Sequence, residues 1–162
     1  MIEKYPNIWK ATYFSILFLI IFTPNNAITK LVSTLMEEVS LSTLGFIMLS
    51  INSLFQGFFS MLSTPLSYRY GHKVVVTVGA LFLGCMTYVM IYPAWLKQIS
   101  ENERSGFANI YLIGTVCMLG YIIGGVGQAF LFVIQGEYLT LCATEKTKGF
   151  YIGYFWIFYN AS

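Results

Sequence analysis

The chain has 162 residues, of which 57% are hydrophobic and only 10% are charged, whereas an ordinary globular domain has roughly a quarter charged residues. With a mean hydropathy of +0.68, this composition excludes a soluble globular domain and predicts an integral membrane protein. The net charge of +2 is small and no stretch concentrates it, so we expect no nucleic-acid partner.

Four uncharged runs are each about as long as the roughly 20 residues that a helix needs to cross a bilayer. They cover residues 11–29, 39–68, 74–96 and 105–136, and a fifth run begins at Gly149. Continuous apolar runs favour helices, because the strands of membrane barrels alternate over about ten residues. We therefore predict an all-α, polytopic transmembrane bundle of about five helices. Its single domain, residues 1–162, has predicted spans at 8–35, 40–66, 74–96, 107–136 and 148–162.

Prolines and amide side chains interrupt these runs. Pro24 and Pro93 predict kinks in the first and third spans, because proline removes a backbone donor and crowds the preceding turn. Polar groups that face lipid cost up to a few kcal/mol each, so the amides are expected inside the bundle. They either line a shared cavity near the middle or simply hydrogen-bond between helices. This predicted polar cluster consists of Asn25, Asn26, Asn52, Gln56, Gln128 and Gln135, together with Glu137.

The loop after the second span, PLSYRYGHKVVV, carries Arg69, Gly71, His72 and Lys73 in a tight turn. Gly71 permits a backbone conformation that other residues resist. The cations either anchor the loop at the membrane surface or bind helix C-termini or a carboxylate. We expect Glu137, near the end of the fourth run, to pair with Arg69 or with one of the lysines of the last loop, Lys146 and Lys148.

A cluster of glycines marks the fourth run. Gly120, Gly124 and Gly127, with the adjacent Gly125, form a small-residue face of the GxxxG type, and Gly149 and Gly153 repeat the spacing in the fifth run. Such faces let helix backbones approach closely, either within this chain or at an interface with another chain.

Motifs that indicate catalysis or cofactor binding are not evident. GGVGQA lacks the glycine order of a nucleotide loop. Cys85, Cys117 and Cys142 lack short ligand spacing, and His72 is the single histidine, which disfavours a metal site or a disulfide framework. We predict a non-enzyme without a cofactor, although bound lipids are expected.

Lys and Arg residues differ in number between the two predicted sides of the membrane. The positive-inside bias places the N-terminus and the even loops on the cytoplasmic side or its equivalent, in an organellar membrane such as the mitochondrial inner membrane or in the plasma membrane or endomembranes. The cytoplasmic set is Lys4, Lys10, Arg69, Lys73, Lys146 and Lys148, and the opposite set is Lys30, Lys97 and Arg104.

Two parts of the chain resemble a known family. The order Arg-x-Gly-x-Lys at residues 69–73 resembles the signature loop of the major facilitator superfamily, with Tyr68 in place of the usual aspartate. GVGQAFLFVIQGEYLT and KGFYIGYFWIFYNAS resemble the fourth and fifth helices of the Unc-ninety-three family, a branch of that superfamily associated with ion-channel regulation and receptor trafficking. The resemblance covers nearly all of this chain and about the first five of the family's usual twelve helices. The residues that match are Gln135, Gly136, Tyr138, Leu139, Thr140, Gly153, Phe155, Trp156, Phe158 and Ser162.

This resemblance bears on function. Transporters of the superfamily rock two similar halves around a midplane site, and five helices lack the second half. Residues 149–162 would form about 21 Å of helix, shorter than the roughly 30 Å core. We therefore expect another protein, a lipid head group or a water-filled recess to cover the terminal carboxylate.

The sequence thus predicts a non-catalytic accessory or regulatory subunit of a larger membrane complex, with other integral membrane subunits and lipid as partners. Two alternatives stay open. One is half of a secondary transporter, completed by a partner chain or a second copy. The other is a fragment of a full-length ion-channel regulatory protein.

Overall fold

The computed structural model describes residues 7–38, 41–96, 98 and 109–162. All regular elements in these residues are α-helices, which confirms the predicted all-α bundle. In chain order they are α1 (Ile8–Glu38), α2 (Ser42–Tyr70), α3 (His72–Val89), α4 (Ile91–Leu96), α5 (Ile110–Cys142) and α6 (Lys148–Asn160).

Four stretches of helix are long and apolar enough to cross a membrane. They are α1, α2, α5 and the combined α3–α4 stretch, His72–Trp95. The chain is therefore an integral, multi-pass membrane protein. The fifth predicted span corresponds to α6, whose 13 residues are fewer than the roughly 20 needed to cross a bilayer.

Three helices continue past the ends of their apolar runs. Whereas the predicted spans end at 35, 66 and 136, the helices end at Glu38, Tyr70 and Cys142. The fourth loop therefore begins later than predicted, and Glu137 lies within a helix. The reason is that backbone hydrogen bonding does not stop where side chains become polar. Residues 40, 107 and 108, where two predicted spans begin, lie outside the described residues.

Proline has different effects in different helices. Pro24 lies inside α1 without ending it. In the third span the helix stops at Val89 and restarts at Ile91, three residues before the position predicted for the kink, Pro93. A proline ring crowds the carbonyl four residues earlier, which here belongs to Val89. The interruption therefore falls where the proline clash acts.

Helix α5 is the centre of the bundle. In its most apolar window 61% of residues are buried, against 17 to 28% in the other three spans. Its main neighbours are α2 on one side and α3 on the other, while α1 packs against α2 and α6.

Glycines of α5 permit these close contacts. A Cβ added at Gly125 would lie 2.5 Å from the Asn52 carbonyl oxygen of α2, and one at Gly127 would lie 2.7 Å from the Gly79 carbonyl oxygen of α3. Gly120 and Gly124 face the Val89 and Met86 side chains of α3. The α5 glycines therefore pack within this chain.

The fifth run behaves differently. Gly149 and Gly153 are exposed, and among the described residues nothing lies within 4 Å of a Cβ added at either position. Their predicted spacing therefore does not serve packing inside this chain, because the buried face of α6 is the one that carries Tyr151 and Phe155.

The turn between α2 and α3 consists of Gly71, whose φ is +86° and ψ is 146°. L-residues rarely adopt this conformation, because a Cβ clashes with the neighbouring backbone. We expect Gly71→Ala to lower the free energy of unfolding by roughly 1 to 2 kcal/mol, measured by denaturation in mixed micelles. Gly57→Ala, at a helical glycine where an added Cβ also meets nothing within 4 Å, is the control. Equal stability of the two variants would contradict the expected strain.

Candidate functional site

A polar recess of about 270 Å³ lies between α1, α2, α5 and α6. Five of the predicted amides meet there, and we call this site the amide recess. Aromatic and hydroxyl side chains complete its wall. Its lining residues are Phe22, Asn25, Asn26, Thr29, Leu49, Asn52, Ser53, Gln56, Gln128, Phe132 and Tyr159.

Two of the amides tie helices together. Asn52 Nδ2 donates to the Tyr121 carbonyl oxygen at 2.9 Å, which joins α2 to α5. Asn26 Nδ2 donates to Ser162 Oγ at 2.9 Å, which joins α1 to the residues that follow α6. These two bonds link the helices that form the wall of the recess, on two of its sides.

One of the other amides is buried without a full set of hydrogen bonds to the described residues. Asn25 is 2% exposed, and its Oδ1 has no hydrogen-bond partner among the described residues. Gln56 and Gln128 line the same recess. A buried polar atom without a partner costs about 1 to 3 kcal/mol, so the recess presents an acceptor that needs a donor from water or from another molecule.

The predicted polar cluster is not one site. Gln135 is 6% exposed and thus buried, but it lies about two helical turns beyond Gln128 and does not line the recess. Glu137 lies farther along and belongs to a second site. The sequence shows that these side chains share a helix, but it does not show how far along the helix the cavity reaches.

The second site centres on Glu137, and its predicted partners are wrong. Glu137 Oε2 accepts a hydrogen bond from Ser67 Oγ at 3.2 Å and lies 3.2 Å from His72 Nε2. Ser67 Oγ is also 3.1 Å from His72 Nδ1. Because α5 continues to Cys142, Glu137 faces the turn between α2 and α3 rather than the last loop.

Two of the three cations expected beside Glu137 make other contacts. Lys148 pairs with Glu145 at 3.6 Å, and the Arg69 guanidinium lies 5.6 Å from the centre of the Tyr70 ring. The residue that sequence reasoning missed as a partner is His72. The signal was present, since His72 and Glu137 were both predicted near the same membrane face.

A groove of about 570 Å³ opens beside this carboxylate, and we call it the Glu137 groove. It lies between the C-terminal halves of α2 and α5, at the start of α3. Its lining residues are Thr64, Tyr68, His72, Val133, Gly136, Glu137, Thr140 and Leu141.

Other reactive side chains do not gather in the part of the chain that is described. There, no three His, Cys, Asp or Glu residues are grouped so as to hold a metal ion. Cys85 is exposed, Cys117 and Cys142 are buried, and all three are free thiols.

The two sites offer different chemistry. The amide recess has neutral amides, whereas the Glu137 groove has a carboxylate, an imidazole and hydroxyls. What they bind has to be inferred from this chemistry, since no protein-family model, no curated protein and no solved structure matches the chain.

Proposed function

We propose that the chain is a non-catalytic accessory or regulatory subunit of a larger multi-subunit membrane complex. In this proposal its helices resemble the N-terminal helices of the Unc-ninety-three branch of the major facilitator superfamily, and its N-terminus faces the cytoplasm or an equivalent compartment. The observation that carries the proposal is that Oδ1 of buried Asn25 has no hydrogen-bond partner among the described residues. In a membrane such an atom is satisfied by trapped water or by a protein neighbour.

The outward face of α2 supports a protein neighbour. Only 17% of its most apolar window is buried, the lowest share of the four spans. Small residues recur along one side of this helix at alternating spacings of three and four. We call this side the α2 small-residue face, and it consists of Ser50, Ser53, Gly57, Ser60 and Thr64.

The three serine hydroxyls of this face form their hydrogen bonds within α2. The hydroxyls of Ser50, Ser53 and Ser60 donate to carbonyl oxygens of their own helix at 2.9, 3.1 and 2.7 Å. In the described part of the chain, nothing lies within 4 Å of a Cβ added at Gly57. Transmembrane helices approach one another most closely at such small residues, so the face suits a helix of another integral membrane subunit.

The α2 small-residue face is continuous with the amide recess. Ser53 is exposed and belongs to both. A helix that packs on this face would therefore cover the edge of the recess, where a polar side chain can donate toward Asn25 Oδ1, which has no partner among the described residues. Lipid covers the remaining apolar surface, which includes Leu54 and Met61 on the same helix.

The alternative function is one half of a secondary transporter. The observation that favours it is the recess itself, which has room for a small polar solute and whose lining residues are all uncharged. Alternating access needs a second half that rocks against the first, supplied by a partner chain or a second copy.

Gly57→Leu tests the accessory function in membranes of cells that make the protein. A leucine there projects from the α2 small-residue face, and among the described residues nothing lies within 4 Å of its Cβ position. We expect native electrophoresis to show the wild-type chain at the mass of a large complex and the variant at its own mass. Gly84→Leu is the matched control, because Gly84 is also helical, exposed and without neighbours within 4 Å. A wild-type chain that migrates alone would contradict the proposal.

Leucine at Asn25 or Gln128 distinguishes the two functions. An accessory subunit should keep the activity of its complex nearly intact after either substitution, because the recess handles no solute and the neighbouring helix still packs on the α2 small-residue face. A half-transporter should lose solute flux, because the hydrogen bonds that hold the solute are gone. Flux through the wild type that either leucine abolishes would replace the accessory function with the alternative.

A further inference from the structure

We propose that the Glu137 groove binds the head group of a membrane phospholipid that carries a primary amine. This inference rests on the contacts of the residues in the groove and does not depend on the chain being a subunit of a complex. The ligand class follows from the charge, the donors and the shape of the groove.

The carboxylate of Glu137 is held in place and still open to the groove. Oε2 receives the hydrogen bond from Ser67 and faces His72. Oε1 accepts no hydrogen bond from any described residue, and the side chain is 24% exposed. The contacts of Oε2 thus fix the orientation of the carboxylate, while Oε1 is left as an acceptor for an incoming cation. A primary ammonium carries three N–H donors and matches such a carboxylate.

Other side chains in the groove suit an ammonium group. Thr64 and Thr140 bring hydroxyl oxygens that can accept the remaining N–H bonds, and Tyr68 brings an aromatic ring that attracts cations. The imidazole in the lining, that of His72, already faces Glu137. No lysine or arginine among the lining residues competes with the ligand.

Two exposed cations flank His72 along the chain and carry the charge opposite to that of the phosphate of such a lipid. Arg69 and Lys73 are exposed and lie on the two sides of the turn that positions His72. Arg69 stacks over Tyr70, and neither cation pairs with a carboxylate among the described residues. A zwitterionic head group therefore finds a carboxylate for its amine and cations for its phosphate.

Size and wall chemistry agree with a head group rather than a whole lipid. About 570 Å³ falls within the roughly 300 to 1,000 Å³ of small-molecule sites. Val133 and Leu141 give the groove an apolar side, along which the first part of an acyl chain can leave for the bilayer. Gly136 leaves space in the groove because it has no side chain, and among the described residues nothing lies within 4 Å of a Cβ added there.

The test is lipid retention by the full chain in nanodiscs of defined composition, read by native mass spectrometry after extraction. We expect the wild type to retain phosphatidylethanolamine in preference to phosphatidylcholine and phosphatidylglycerol. Glu137→Gln, which keeps the shape and removes the charge, should reduce that preference roughly tenfold, as the loss of about 1.4 kcal/mol of charge-assisted binding implies. Equal retention of the three lipids, or an unchanged preference in the variant, would overturn the proposal.

Gly136→Leu tests the groove by filling it. We expect this variant to lose the preference, and Gly84→Leu, at an exposed glycine of α3, to keep it. Helicity and elution volume establish that each variant is folded. Retention by Gly136→Leu at the wild-type level would place the lipid elsewhere and overturn the site.

A lipid series on the unaltered protein avoids any folding problem. Stepwise N-methylation of the ethanolamine head group removes N–H donors while the positive charge remains, so retention should fall at each step. A flat series would contradict hydrogen bonding to Glu137. Soluble phosphoethanolamine should bind poorly in discs without amine lipids, and saturation by this soluble head group would make the ligand a free amine instead of a membrane lipid.

Discussion

Gly127→Leu is expected to destabilise the fold more than any other substitution considered for this chain. A Cβ at this position would lie 2.7 Å from the Gly79 carbonyl oxygen, 2.9 Å from Phe82 Cβ and 3.0 Å from Leu83 N. Two of these atoms are backbone, so no rotamer change relieves the clash and α3 must move away from α5. Overpacking typically costs about 1 to 3 kcal/mol and occasionally more, and we expect the upper end.

This effect can be measured by unfolding the protein with dodecyl sulfate in mixed micelles. The loss of helicity is the signal that is monitored. Gly84→Leu is the control, because it adds the same side chain to α3 at a place where an added Cβ meets nothing within 4 Å. Equal destabilisation by the two substitutions would mean that α3 and α5 do not approach at Gly127.

Tyr121→Phe is expected to stabilise the protein. Tyr121 is fully buried on α5, and its hydroxyl has no hydrogen-bond partner among the described residues. Leaving a buried hydroxyl unpaired costs about 1 to 3 kcal/mol, and phenylalanine removes the hydroxyl while filling nearly the same volume. The Asn52 bond goes to the Tyr121 backbone carbonyl, so the substitution leaves it in place.

Tyr111→Phe, at an 81% exposed position of the same helix, is the control. Its stability should stay within roughly 0.5 kcal/mol of the wild type, as for most surface substitutions. If Tyr121→Phe instead lowers the stability, the hydroxyl has a partner such as a buried water, and the interior of the bundle around Tyr121 contains water.

The sequence predicts which segments form helices better than it predicts the residues at which those helices end. Hydropathy identifies spans because backbone groups in lipid must bond within a helix, and this held for α1, α2, the α3–α4 stretch and α5. The helix ends depend on contacts outside the apolar run, and α5 therefore continues six residues past Gly136, to Cys142. The break at Met90 followed from Pro93, but its position required the geometry of the preceding turn.

Site residues were predictable in kind, whereas their partners were not. The cost of burying amides indicates that Asn25, Asn52 and Gln128 face inward, and they meet in the amide recess. Sequence distance does not reveal that Glu137 meets His72, since these residues are brought together by the packing of α5 against α2 and α3. For the same reason, Gly125 and Gly153 look alike in the sequence, yet one is buried against α2 and the other is exposed.

The most direct test of the proposed accessory function is photo-cross-linking from Ser53 in native membranes. A benzophenone amino acid at this position sits where the α2 small-residue face meets the amide recess, and one at Leu81, 63% exposed on α3, serves as the comparison. We predict one discrete adduct with another integral membrane protein from Ser53 and only lipid adducts from Leu81. Lipid adducts alone from both positions would contradict it.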